Sequence, residues 1–324
     1  MCLKGTATEV GFTAQVSQRQ ANLYRVFPKA PAPPEQTEFV ATDGTWAFPG
    51  LDAYAHYYVE IVSHFNVIAA PEHHFAVRAI VGPLVVPSSG APVPVQVKPV
   101  QIEVLESRPM GGSLQLQVAA AQVFDPGNTD LIQNAGVAIG VGDASTNMPW
   151  LGEPDGGDGG VGGAYQAEFP LPTPAQSSYT VTVSHPSFGS APTTWQVVAD
   201  PPSFDGTITS PMSGTTVPVG RPDAGCGVDG GATGGGDLNV TWSEQPQADY
   251  ETLQLFPSPA SGATAAYSSQ PKEFDETSDC IPGAKIQRPG SYILNVAYSK
   301  TNCPFTADGC VYSDAVAVAA ITAQ

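Results

Sequence analysis

Five histidines, five cysteines and thirty carboxylates carry most of the reactive chemistry available to this 324-residue chain. His56, His64, His73 and His74 fall close together in sequence, with Glu60 and Glu72 among them. On an extended strand His56, Glu60 and His64 share parity and face one way. Imidazole with carboxylate suits zinc or copper, although the compact His-Glu-x-x-His spacing is absent. A metal site on the four histidines is therefore one expectation, and solvated or packing histidines are the other. Asp125, Asn128 and Asp130, or Asp155 and Asp158, place side-chain oxygens in loops, which is calcium chemistry. Asp and Gly are equally ordinary turn residues, and no twelve-residue calcium loop ending in Glu is present. Calcium is the one cofactor these loops suggest. There is no Gly-x-Ser-x-Gly elbow. The Gly-rich run 230–236 opens onto a strand-like segment, where a phosphate cradle would need a helix. No catalytic residue is expected, and the chain reads as non-enzymatic.

Four cysteines, Cys226, Cys280, Cys303 and Cys310, lie in the last hundred residues. An even number confined to one region suggests two disulfides and an oxidising compartment. Three connectivities exist, and the spacing favours Cys226–Cys280 with Cys303–Cys310. The longer loop is worth about 4 kcal/mol in the chain-entropy account. Zinc is disfavoured because no Cys-x-x-Cys occurs. Cys2 directly follows Met1 and looks like the lipid-bearing cysteine of a bacterial lipoprotein, so lipid attachment there is expected. Trp46, Tyr54, Tyr57 and Tyr58 cluster, and Trp150 sits beside a Gly-rich loop. Such aromatics either fill a core or form a face that stacks on sugars or anchors a partner protein.

The elements that must position these groups are strands. Gln115–Val118, Tyr179–Val183 and Leu238–Trp242 alternate with period two, and Gly and Pro punctuate the chain about every ten residues. No capped 3.6-residue periodicity predicts a helix. Phe48-Pro49, Tyr58 and Val62-Ser63-His64 recur as Phe169-Pro170, Tyr179 and Val183-Ser184-His185 at an offset of 121 residues. An offset of 122 instead sets Tyr57, Val59 and Ile61 against Tyr179, Val181 and Val183, which matches an inward alternation better. One residue of slip reverses every face, so the repeat is legible and its register is open. A third copy of the core runs from Gly290 to Tyr298. Pro-rich joins at 87–94 and 200–203 are expected to hold the units extended, strung out rather than collapsed on one another.

Composition bounds the function. Gly and Pro, 34 and 32 residues, stay below the share of roughly 25–30% that marks low-complexity disorder. Lys plus Arg number 12 against 30 Asp plus Glu, for a net charge of −18. That excludes a general nucleic-acid binder, which needs clustered cations, and disfavours a basic patch docking on anionic lipid. No segment reaches the ~18–20 apolar residues of a membrane span. Membrane contact is expected only through an N-terminal lipid.

Asp43-Gly44-Thr45-Trp46-Ala47-Phe48-Pro49-Gly50-Leu51 followed by Tyr57-Tyr58-Val59-Glu60-Ile61 resembles carboxypeptidase regulatory-like domains. Gly163–Phe169 carries the pattern more loosely. Leu238–Trp242, Pro246 and Tyr250–Leu255 are similar to the second and third strands of a fibronectin type III domain. That resemblance implies a buried Trp242, a corner tyrosine at Tyr292 heading the penultimate strand, and a last strand over 314–321. The fold expected is all-β, three tandem Greek-key, immunoglobulin-like β-sandwiches over residues 1–100, 101–203 and 204–324. The function expected is that of a non-catalytic exported protein of a bacterial outer membrane or cell surface. It would act as a scaffold or adhesion module for a surface protein or polysaccharide. The alternatives are a carbohydrate-binding accessory protein using the first-domain aromatics, or a protein whose assembly depends on metal.

Overall fold

The computed structural model describes residues 1–25, 33–66, 76–86, 91–109, 115–141, 144–152, 163–168, 178–198, 206–221, 226, 236–246, 248–258, 265–270, 272, 276–304 and 308–324. The regular structure of these residues is almost wholly strand, and they form β-sandwiches of the immunoglobulin-like class. The first sandwich contains β1 (Cys2–Glu9), β2 (Gln15–Tyr24), β3 (Gln36–Phe39), β4 (Thr45–Pro49), β5 (His56–Asn66), β6 (Val77–Val85) and β7 (Val93–Val97). The second contains β8 (Val100–Pro109), β9 (Gln115–Val123), β10 (Gly136–Val141), β11 (Ala144–Asn147), β12 (Tyr165–Glu168), β13 (Ser178–Ser184) and β14 (Thr193–Val198). The third contains β15 (Ile208–Ser210), β16 (Thr216–Val217), β17 (Leu238–Trp242), β18 (Tyr250–Pro257), β19 (Tyr267–Ser268), β20 (Ser278–Ile281), β21 (Gly290–Asn302) and β22 (Gly309–Ala323).

The chain divides into two compact units. One comprises Met1–Glu106, Leu116–Pro201 and Thr301–Tyr312, and the other Ser107–Gln115, Pro202–Lys300 and Ser313–Gln324. In the first unit, sheet β4-β1-β7 faces sheet β3-β2-β5-β6. Leu3, Phe48, Leu23, Tyr57, Val59 and Ile61 fill the space between them. Sheet β11-β10-β13-β14 encloses the second core of this unit together with β12-β9-β8. That core includes Ile102, Val104, Ile139, Tyr179, Val181 and Val183. In the second unit, β15-β17-β20 lies in one sheet and β22-β21-β18-β19 in another. Val240, Trp242, Leu253, Leu294 and Val296 are among the residues buried there.

Tyr57, Val59 and Ile61 face the first core as Tyr179, Val181 and Val183 face the second and Tyr292, Leu294 and Val296 the third. The 122-residue offset is thus the one that carries inward faces between the first two copies. Tyr292 donates from its hydroxyl to the Arg288 carbonyl at 3.0 Å, four residues upstream, which is tyrosine-corner geometry. Trp242 is buried and its indole N–H donates to Glu251, itself fully buried.

The join at 87–94 does not string the first two sandwiches apart. Val93–Val97 is the seventh strand, pairing in parallel with β1. The Val10 N–H donates to the Val97 carbonyl, so Val93, Val95 and Val97 turn their main-chain groups toward β1. Pro94 then faces the open edge, where a missing N–H breaks no ladder bond. Only Lys98 and Pro99 separate β7 from β8. Phe124 of the second sandwich enters the first core, and the Thr13 and Ala14 N–H groups both donate to the Pro126 carbonyl.

Thr301–Tyr312, closed by the Cys303–Cys310 disulfide, completes this unit. Gly82 on edge strand β6 exchanges both main-chain hydrogen bonds with Cys303, at 3.0 and 2.9 Å. On edge strand β14, Gln196 donates its N–H to the Asp308 carboxylate and accepts from the Asp308 N–H. The same carboxylate pairs with Lys98, both side chains being largely buried. Val311 packs into the second core. The tip therefore clamps both sandwiches of its unit through one charged side chain and two strand edges. The second disulfide, Cys226–Cys280, lies in the other unit at β20.

Two outcomes test this packing. A Cβ on Gly5 would overlap the Trp46 indole and the Val93 carbonyl, neither of which has room to retreat. Gly5→Ala is expected to destabilise the fold by about 1–3 kcal/mol in chemical denaturation. Gly136→Ala, whose new methyl meets nothing closer than 3.7 Å, should stay within about 0.5 kcal/mol of the parent. Asp308→Ala removes the clamp's charge and one edge bond. Amide exchange at Gly82 and Gln196 should then accelerate by at least about tenfold, as the loss of one net hydrogen bond to a charged group requires. Unchanged exchange at both would mean the tip does not hold the two edges.

Candidate functional site

An antiparallel pair alternates between residues that exchange main-chain bonds and residues that turn those groups to the other side. The Val40 N–H donates to the Arg19 carbonyl at 3.2 Å, which places Ala21–Glu38 and Leu23–Gln36 in the bonded set. Thr37 and Phe39 therefore point their N–H and C=O groups outward, along the open edge of the sheet. On the facing sheet the Ala7 N–H donates to the Gly44 carbonyl at 2.8 Å, so Thr45, Ala47 and Pro49 turn outward from β4. Thr45 is answered locally, its N–H by Asp43 at 3.0 Å and its carbonyl by the Ala41 N–H at 2.8 Å. The Pro49 carbonyl takes the Gln36 amide at 3.3 Å. Among the described residues, no bond covers the outward groups of Thr37, Phe39 or Ala47.

Between these two edges runs an open groove of about 380 Å³, lined by Lys4, Glu38, Phe39, Thr45, Ala47 and Pro92 among others. Phe39 is 71% exposed and sets an apolar ring at the rim of this groove. The segment from Glu35 to Thr45 holds three acids, Glu35, Glu38 and Asp43, and no Lys or Arg. Hydrogen bonds from the Thr45 N–H and hydroxyl hold the Asp43 carboxyl below the usual range, so it stays an anion.

A buried polar chain ties β3 to the sheet behind it. The Thr37 hydroxyl donates to Asn22 Oδ1 at 3.1 Å, and Asn22 Nδ2 donates to Glu60 at 2.9 Å. Glu60 also accepts from the Tyr24 hydroxyl at 3.0 Å and pairs with Arg78 at 3.3 Å. Burial, with the Glu60 carboxylate beside it, pushes the Tyr24 phenol up to about 12. Burying a carboxylate is costly unless its lone pairs are met, and here three donors meet them.

This network also engages the acid of the histidine strand. His56, Glu60 and His64 do share one face of β5, yet Glu60 is engaged by Asn22, Tyr24 and Arg78. His56 is half-buried opposite Val85, and His64 is exposed opposite Gln18. His73, His74 and Glu72 lie outside the described residues, as do Asp155 and Asp158. Among the described residues no group of three or more His, Cys, Asp or Glu is placed to hold a metal. Asp125 takes the Gly127 N–H at 2.7 Å and the Ser187 hydroxyl at 2.5 Å, and Asn128 bonds Asp130 at 2.8 Å, so these side chains build a turn.

The aromatic cluster proves to be mostly core. Trp46, Tyr57 and Tyr58 are buried, Trp46 and Tyr57 within the first core, because β4 and the inward parity of β5 point them there. They form no solvent-facing surface. Tyr54 alone is open, 77% exposed in a left-handed turn with φ 63°. Trp150 is half-buried, edge-on to Tyr165 at 5.2 Å. Cys2 is exposed and unpaired at the start of β1. Phe39, Thr37 and Lys4 were not singled out from sequence. The one available signal is a short β-like run, Gln36–Phe39, with no alternate apolar position to mark a core face.

No protein-family model matches the chain, and no curated protein matches it. Among solved structures, a crystal structure of chicken CNTN1 FN1–FN3 domains is 10% identical, covering 95% of this chain and 91% of that one with a TM-score of 0.26. So low a score carries no argument, and the fold assignment rests on the sheets themselves.

The buried phenols make the fold sensitive to alkali. Burial and the Asp279 carboxylate push Tyr267 up to about 12, and burial chiefly raises Tyr179 and Tyr298 as well. From the ordinary phenol value of 10.0 upward the unfolded chain loses these protons first. The contribution of these groups to stability is thus whole below pH 10 and is lost as pH rises toward 12 and beyond. Melting temperature should fall steeply over that range, together with late phenolate absorbance, and Tyr24→Phe should reduce the slope. Full phenolate absorbance near pH 10 with the fold intact would contradict the burial described.

Proposed function

We propose that this chain is a non-catalytic binding module and scaffold that works in an oxidising compartment at a bacterial cell surface. The observation that carries the reading is the disulfide-closed tip at 301–312. It clamps two sandwiches into one body and covers edges β6 and β14. A body held in that way keeps a fixed presentation of its remaining open edge, which is what a scaffold contributes. Two disulfides, Cys226–Cys280 and Cys303–Cys310, fit an exported protein. A lipid on the exposed Cys2 would tether it, and a surface protein is the partner we favour. The sequence resemblance of residues 43–51 and 57–61 to carboxypeptidase regulatory-like domains agrees with an accessory role. A sugar-binding role is less favoured, because Trp46, Tyr57 and Tyr58 are spent on the core.

The test is the intact mass of the native protein extracted from its own cells, with and without reduction. The expected result is four thiols locked in two disulfides and acyl chains on Cys2. Four free thiols in the native chain would remove the oxidising compartment, and steady turnover of a peptide or glycan would end the non-catalytic reading.

A further inference from the structure

We propose that the open edge of β3 is a strand-addition site that takes an extended, basic segment of a partner polypeptide. The proposal rests on the binding-module reading above and names the partner's chemistry. Sheet edges invite another strand, and proteins commonly cover or disrupt them. In this unit the other edges are largely answered, except that of β11, whose Ala-Ser-Thr-Asn run is also open but carries neither an aromatic nor an acid to select an occupant. The tip takes β6 at Gly82 and β14 at Gln196, and Gln101 donates to the Arg78 carbonyl on β6. Pro94 removes a donor from β7. On β12 the Gln166 N–H already donates to the Pro149 carbonyl. On β4 only Ala47 is left between two answered neighbours. On β3 two successive outward residues, Thr37 and Phe39, offer two donors and two acceptors in strand spacing. An extended peptide matches that array, since its own main chain alternates in the same way.

Side chains choose between occupants. A strand beside β3 places alternate residues on the outer face, next to the exposed Phe39, and the others toward Glu38 and the groove. Phe39 rewards an apolar residue on the outer face. Glu38, with Glu35 and Asp43 nearby, rewards Lys or Arg on the other. Four cations of this sandwich, Arg19, Arg25, Arg78 and Lys98, are already paired with acids. Among the described residues of this sandwich, Lys4 on the far wall of the groove is the cation left to offset these three acids. A second copy pairing β3 with β3 about Glu38 would set two glutamates directly opposite, which is unfavourable.

The experiment titrates the full-length protein with three synthetic peptides in fluorescence anisotropy. These are an alternating Lys-Val octapeptide, its Glu-Val counterpart, and the Lys-Val peptide N-methylated at every residue, which keeps its charges but cannot pair. We expect binding of the Lys-Val peptide only. Thr37→Pro removes an outward N–H and the hydroxyl bond to Asn22 while leaving the β2–β3 main-chain ladder intact. It should weaken binding by about tenfold or more, the worth of a main-chain bond, whereas Thr37→Val, which loses the hydroxyl alone, should bind as the parent does. Phe39→Ala, at an exposed position that leaves folding unchanged, should weaken it as well, which guards against a folding defect in the proline variant. Equal binding of the N-methylated peptide would overturn strand addition in favour of simple charge attraction. No binding of any peptide, with a concentration-dependent dimer in sedimentation that Thr37→Pro abolishes, would assign the edge to a second copy. No binding and no dimer would overturn the site while leaving the scaffold reading in place. Cleavage of the peptide, read by mass spectrometry, would instead end the scaffold reading.

Discussion

Main-chain groups at the edge of a sheet must be paired, covered or left to water, and this constraint organises the first unit. A sandwich of two short sheets has four edges, each carrying a row of donors and acceptors. Here most of those rows are met from within the chain. The tip of the β21–β22 connection reaches Gly82 and Gln196, Asp43 and Ala41 answer Thr45, and Gln36 answers Pro49. Pro94 sits where no donor is needed. The pattern leaves β3 as the place where pairing capacity and an exposed aromatic coincide.

A second regularity is the buried carboxylate. Glu60, Glu106 and Glu251 are all buried, one in each sandwich. Each accepts from an aromatic donor: the Tyr24 hydroxyl, the Tyr179 hydroxyl and the Trp242 indole N–H. Such a group is costly without partners and specifying with them, because only one arrangement of strands brings donor and acceptor together. Glu60 has a further consequence, since through Asn22 it holds the hydroxyl of Thr37. The network behind the β3 edge thus keeps that short strand in register although none of its side chains is buried.

The clamp at 301–312 and the open edge are complementary parts of one design. Lys98 and Asp308 are 210 residues apart in sequence and meet as an ion pair. The disulfide removes freedom from the loop that presents Asp308, by about 2–3 kcal/mol in the chain-entropy account. A pair whose two side chains are both largely buried is screened less than one on a free surface. The two sandwiches can then act as a single support for whatever occupies the edge of β3.

Period-two alternation and turn residues act over a few positions, so the sequence by itself determined the all-β class and the strands, while the inward face of each repeat stayed open between two offsets. The packed structure then made Tyr57-x-Val59-x-Ile61, Tyr179-x-Val181-x-Val183 and Tyr292-x-Leu294-x-Val296 the inward sets. The short loop between Cys303 and Cys310 was legible because it too is local. Burial of Trp46 and Tyr58 was not, since an aromatic on a strand reads alike whether its face is covered or open. Nor could composition show that Glu60 would be met by Asn22, Tyr24 and Arg78, which sit on other strands. Only the tertiary structure decided which edges are covered, because that depends on where a loop at 301–312 lands against residues 82, 98 and 196. Contacts across such separations leave no periodic trace in the chain, and they are what makes Thr37 and Phe39 a site.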